Sequence, residues 1–92
     1  MYYILFYKAD ADYIEKRTPF RPEHLALATK YKDEGKIIMA GALADPADGS
    51  AIVFKTDSLA DVEEFAKNDP YVTNGVVKEW NIRPWNVVIG GS

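Results

Sequence analysis

Cysteine is absent from these 92 residues, and histidine occurs once, as His24. The first absence excludes disulfides, thiolate nucleophiles and thiolate metal sites. Both together exclude the usual zinc sets, which draw on several cysteines and histidines; no metal or cofactor is expected. There is no basic run, and 11 basic residues against 14 acidic ones leave a net charge of −3. That balance argues against nucleic acid as a partner. No apolar stretch approaches the roughly 20 residues needed to cross a bilayer, so no membrane partner is expected. Met1 leads directly into an aromatic run without a cationic segment or a small-residue cleavage site, unlike a secretory signal. A reducing cytoplasm is the expected location. Gly-x-Gly-x-x-Gly, phosphate-loop and Gly-x-Ser-x-Gly patterns are missing too, which leaves dinucleotide binding and serine-based acyl transfer without a motif.

What is present is apolar and aromatic: 48% hydrophobic residues and 13% aromatic ones. The length reads as one domain over residues 1–92, near the small end of self-sufficient folds. So much apolar surface exceeds what a lone domain of this size usually buries, which suggests a partner surface.

Residues 2–8 read as a first strand, with both alternating faces apolar (Tyr2, Ile4 and Phe6; Tyr3, Leu5 and Tyr7). Such a strand should be covered on both sides. Residues 9–21 are polar, with Asp10, Asp12 and Pro19, and read as a loop. A first helix begins at Pro22, which suits the first helical position. His24, Leu27, Ala28 and Tyr31 share one helical face, and Gly35 is the stop. Residues 36–43 and 50–55 form two strands around the turn cluster at residues 45–49. Ser58 is the expected cap of a second helix, with Asp61 completing a short capping box. Leu59, Val62, Phe65, Ala66 and Asp69 keep helical spacing, and Pro70 ends the helix. Residues 76–89 read as a long final strand, placed at a sheet edge by Pro84.

The order strand, helix, strand, strand, helix, strand predicts an α+β, ferredoxin-like protomer. Its four-stranded antiparallel sheet carries both helices on one face. The other face is left bare, with strand one and Val76, Trp80 and Ile82 expected on it. A second copy packed sheet to sheet, a homodimer closing a barrel-like core, is the simplest cover.

This topology brings the start of helix one and the end of helix two to one end of the molecule. His24 and Asp69 then meet. A carboxylate behind an imidazole fixes its tautomer, and the pair can relay a proton to a ligand. Tyr7, Gly41, Arg17 and Arg21 come to the same end, where the arginines can hold a carboxylate or phenolate. A cleft bounded by His24, Asp69, Tyr7 and Gly41 is expected, with a small molecule as its ligand. The alternative is a non-catalytic binding or interaction module, in which the His–Asp pair stitches two helix ends together and the arginines are solvated loop charges.

Five stretches in order resemble the YCII-related (YciI-like) family. They are the aromatic first strand, Arg21-Pro22-Glu23-His24-Leu25, Gly35-Lys36 leading to Ala40-Gly41-Ala42-Leu43-Ala44-Asp45, Asn68-Asp69-Pro70-Tyr71, and Trp80-Asn81-Ile82-Arg83-Pro84-Trp85. The resemblance implies a dimeric α+β barrel related in fold to muconolactone isomerase. It also implies an active site built on a His–Asp pair, here His24 and Asp69, and lyase or isomerase chemistry on small ring compounds. Ala42 departs from the pattern, which often has proline after the glycine.

Overall fold

A computed structural model of the chain describes residues 1–90. Strands β1 (Tyr2–Ala9), β2 (Ile37–Ala42), β3 (Gly49–Lys55) and β4 (Val77–Trp85) form one antiparallel sheet in the order β2-β3-β1-β4. The helices are α1 (Tyr13–Arg17), α2 (Arg21–Asp33), α3 (Leu59–Asn68) and α4 (Pro70–Thr73). The expected βαββαβ order holds, with α2 and α3 as its two long helices. Two short helices were not expected. The polar stretch 9–21 contains α1 and a 3-10 turn at Thr18–Phe20, because Tyr13 is drawn into the core. The turn after Pro70 closes into α4.

Register decides which side chains meet the helices. Leu5 and Tyr7 lie opposite Ile52 and Ser50 on one side and opposite Ile82 and Trp80 on the other. Directly opposed residues share a face, and this one holds the buried core. Trp80 and Ile82 therefore pack beneath the helices, and Val76 is buried in the same core. The expectation that these three lie on the bare face is overturned. Their alternation was sound, but strand one is apolar on both sides and could not say which side they matched. The outer face carries Tyr2, Ile4 and Phe6 with Ala51, Val53 and Met39, and β4 adds Asn81, Arg83 and Trp85. Pro84 sits on an edge strand, where a missing N–H is tolerated.

The core is aromatic at its centre. Tyr31, Phe54 and Phe65 meet edge to face with centroids 5.1–6.3 Å apart. Leu5, Phe54, Val62 and Phe65 are fully buried, each contributing about 1.5–3 kcal/mol from burial. Gly35 ends α2 with φ +79°; its N–H bonds the Lys32 carbonyl and the Lys36 N–H bonds that of Tyr31. This is the left-handed helix stop that glycine permits. The Ser58 side chain makes no cap hydrogen bond. Thr56 takes over that end of α3: its hydroxyl donates to Asp61 at 2.6 Å and accepts from the Ser58 N–H. Gly49 allows the closest backbone approach, since a Cβ there would collide with the Tyr7 carbonyl oxygen.

Candidate functional site

His24 is the fourth residue of α2, and Asp69 is the single residue between α3 and α4. Asp69 has left the helix for an extended conformation, φ −67° and ψ 125°, and caps α4 by accepting from the Tyr71 N–H at 3.1 Å. Proline at position 70 enforces that exit, since the residue before proline avoids helical geometry. The two elements meet where the topology brings them: His24 Nδ1 lies 2.8 Å from Asp69 Oδ1 and 2.9 Å from Oδ2. A carboxylate only accepts, so Nδ1 carries the hydrogen, and in the neutral ring Nε2 is the nitrogen with the lone pair.

The ring is held on both sides. His24 stacks on Tyr71 at 3.8 Å with planes 6° apart, and Phe65 meets it edge on. Tyr71 is met in turn by the edge of Tyr13, over whose ring Arg17 lies at 5.2 Å. An aromatic column thus runs from Phe65 in the core through His24, Tyr71 and Tyr13 to Arg17.

Asp69 is fully buried. Burying a carboxylate is tolerable only when donors replace water. Three do so: His24 Nδ1, the Tyr71 N–H and the Tyr7 hydroxyl, which donates to Oδ2 at 2.7 Å. Burial pushes the Tyr7 hydroxyl far above the ordinary tyrosine range, and the negative charge of Asp69 and the bond to it push the same way. Tyr7 therefore stays a phenol and a donor. Burial also raises Tyr71, against the opposing pull of Arg17 and Arg21.

One prediction follows from the sign of the Tyr7 shift. A group whose folded pKa is raised stabilises the fold below its unfolded value, roughly 10 for tyrosine, and loses that contribution as pH rises further. Melting temperatures from pH 8 to 11 should therefore fall more steeply in the parent than in Tyr7→Phe, which has no proton to lose there. Parallel curves would show that Tyr7 is not held neutral by its surroundings.

A cavity of about 140 Å³ opens beside His24. An apolar cavity of roughly 150 Å³ accepts a benzene ring, so the space suits one six-membered ring. His24, Tyr13, Tyr71, Arg17 and Arg21 line it from the helices, Ala40, Gly41 and Ala42 from β2, and Ser50 and Ile52 from β3. No aspartate or glutamate lines it.

The expected site residues thus divide. His24, Arg17, Arg21 and Gly41 border the cavity. Asp69 and Tyr7 do not; they sit behind His24 as its buried support. Gly41 contributes backbone, and a Cβ there would meet nothing within 4 Å. Tyr13, Tyr71 and Ser50 also line the cavity and were not foreseen. The hydroxyl of Ser50, breaking the inward apolar alternation of Ile52 and Phe54, was the available signal. Among the described residues no group of histidine, aspartate and glutamate could hold a metal ion.

Comparison with known proteins bears out the resemblance seen in the sequence. A family model described as the YCII-related domain matches residues 1–86. Protein YciI of Escherichia coli O6:H1 is 33% identical over 97 aligned residues, covering 96% of this chain and 99% of that protein. An uncharacterized protein of Haemophilus influenzae is 30% identical with the same coverage. A solved structure of similar fold, TM-score 0.78, is 5-chloro-2-hydroxyhydroquinone dehydrochlorinase from Burkholderia phenoliruptrix AC1100 in complex with 2,5-dihydroxybenzoquinone. It is 21% identical, and the match covers 94% of each chain.

Proposed function

The chain belongs to the YCII-related family, and from that premise we propose that it is a small acid–base enzyme acting on a single-ring anion. The observation that carries this reading is the His24 imidazole, with Nδ1 on buried Asp69 and its other nitrogen left for a ring-sized cavity. His24 is the general acid/base and Asp69 fixes its tautomer. In an isomerisation, Nε2 takes a proton from one ring position and returns it to another. In an elimination, the imidazolium gives that proton to the departing group. The dehydrochlorinase of similar fold supports a ring ligand, since it is in complex with a dihydroxybenzoquinone.

Arg17 and Arg21 supply the charge preference, because two guanidinium groups and no carboxylate line the cavity. Titration with small ring carboxylates, phenols and hydroxyquinones should find ligands that bind more weakly as salt rises. Charge-assisted hydrogen bonds are worth about 1.5–3 kcal/mol each, so Arg17→Gln and Arg21→Gln should each weaken binding by about 10- to 100-fold, and together by more. Equal affinity in the double variant would remove both arginines from the site.

A second reading has its own support. Asp69 also caps α4 and accepts from Tyr7, as a purely structural pair in a ligand-binding module would.

The same proposal places the protein in the cytoplasm as a homodimer, without nucleic-acid or membrane partners. Among the described residues no helix is long and apolar enough to cross a membrane. Ile4, Phe6 and Val53 remain only half-buried on the outer sheet face of one chain, the surface a second copy covers. Light scattering at low micromolar concentration should give twice the chain mass; a stable monomer would sink the assembly.

A further inference from the structure

We propose that the ligand is a single-ring anion carrying an unbranched apolar tail, with its ring in the cavity beside His24 and its tail in a groove between α2 and β2. The proposal rests on the ring-anion reading of the same site and names the substituent that reading leaves open.

The cavity has no room for a tail. Its volume of about 140 Å³ suits one six-membered ring, so a long substituent has to leave it. A groove of about 300 Å³ continues from it, and the two spaces share Leu25 and Ala28 of α2 and Ala40 of β2. Alanine on both elements takes little of the passage between them.

Sequence order gives the direction of the groove. Beyond the shared residues it is lined by Thr29 and Lys32, later in α2, and by Ile37, Ile38 and Met39, earlier in β2. It therefore leads away from His24, toward the loop that joins the two elements. From Ala28 to Lys32 the helix rises about 6 Å, and from Ala40 back to Ile37 the strand spans about 10 Å. At about 1.5 Å per carbon–carbon bond, a tail of about four to six carbons fits that length.

The lining calls for an apolar tail. Among the described residues, neither Arg17 nor Arg21 lines the groove, and no carboxylate does. Leu25 is 46% exposed and Ile38 39% exposed, apolar surface that a tail would take from water. An irregularity in β2 adds to this wall. Ile37 pairs with Phe54 and Met39 with Val53, which leaves Ile38 as an extra residue. Bulges at sheet edges re-aim a side chain, and Ile38 is among the residues that line the groove.

The probes are meta- and para-alkylbenzoates from methyl to hexyl, titrated by calorimetry at constant salt. A fully buried methylene tightens binding about fourfold, so one of the two series should gain about two- to fourfold per carbon and level off after about four to six. Thr29 is exposed and lines the groove but not the ring cavity. Thr29→Trp should leave benzoate itself bound as before and flatten the series, whereas Thr29→Ala should keep the slope. In isoleucine-methyl NMR spectra the Ile38 signal, assigned with Ile38→Val, should move with the hexyl compound and not with the methyl one. If benzoates bind but both series are flat, the tail subsite alone is overturned; a second copy seated in the groove would give that result. A slope that survives Thr29→Trp, or an unmoved Ile38 signal, would place the tail elsewhere and also overturn it. If no benzoate binds at any length, the ring-anion reading falls with it.

Discussion

His24→Ala is expected to cost about 10²–10⁴-fold in turnover, the usual loss of a general acid/base, on whichever substrate the ring-anion titration identifies. The fold should survive. Asp69 keeps two of its three donors, Tyr7 and the Tyr71 N–H. What is lost is one hydrogen bond to a carboxylate and one stacked ring on Tyr71, about 2 kcal/mol together. For a domain of this size that is about 8–16 °C of melting temperature. Asp69→Asn should also cut activity steeply, because an amide no longer dictates which imidazole nitrogen carries the hydrogen. The double variant should lose little beyond the worse single one, since residues acting as a unit are not additive. Full activity in His24→Ala would end the acid–base reading.

Asp69→Ala is expected to destabilise the fold far more than His24→Ala. It strands the Tyr7 hydroxyl and the Tyr71 N–H in the buried interior and leaves His24 Nδ1 without an acceptor. Each unsatisfied buried group costs about 1–3 kcal/mol, so the total approaches a large part of the 5–15 kcal/mol typical of a whole domain. A fall of about 25 °C or more in melting temperature should follow. Asp69→Asn should fall less, because the Tyr7 hydroxyl can turn and accept from the new amide. The structural reading instead requires His24→Ala and Asp69→Asn to melt alike, with ligand binding untouched. Melting curves of the three variants beside a ligand titration separate the two readings.

Much of this architecture was legible because local signals and topology agreed. Pro22, Gly35 and Pro70 mark helix ends by backbone restriction alone, and the antiparallel order then forces the start of α2 against the end of α3. The meeting of His24 and Asp69 follows from connectivity, before any side-chain detail. What escaped was set by tertiary contacts. Residues 13–17 form a helix because Tyr13 is buried against Tyr71, and no periodicity in five residues announces that. The face of Trp80 and Ile82 depends on register with a strand that is apolar on both sides. Tyr7 was placed at the correct end, yet whether it touches ligand or carboxylate depends on a few ångströms of depth. Ser58 lost its cap to Thr56, a competition between neighbouring hydroxyls that spacing cannot arbitrate.

Asp69 carries two duties at once, and this bears on how descendants of such a protein can drift. It joins α3 to α4, receives Tyr7 from β1 and orients His24. A lineage released from selection for activity remains under selection to fold. It is freer to replace His24, which costs less stability, than Asp69, which costs much more. Decay of function should therefore leave chains with the carboxylate, Tyr7 and the proline intact and the imidazole gone. In any survey of relatives, an aspartate at this place reports that the fold is kept, whereas on the acid–base reading proposed above only the histidine reports that the chemistry is.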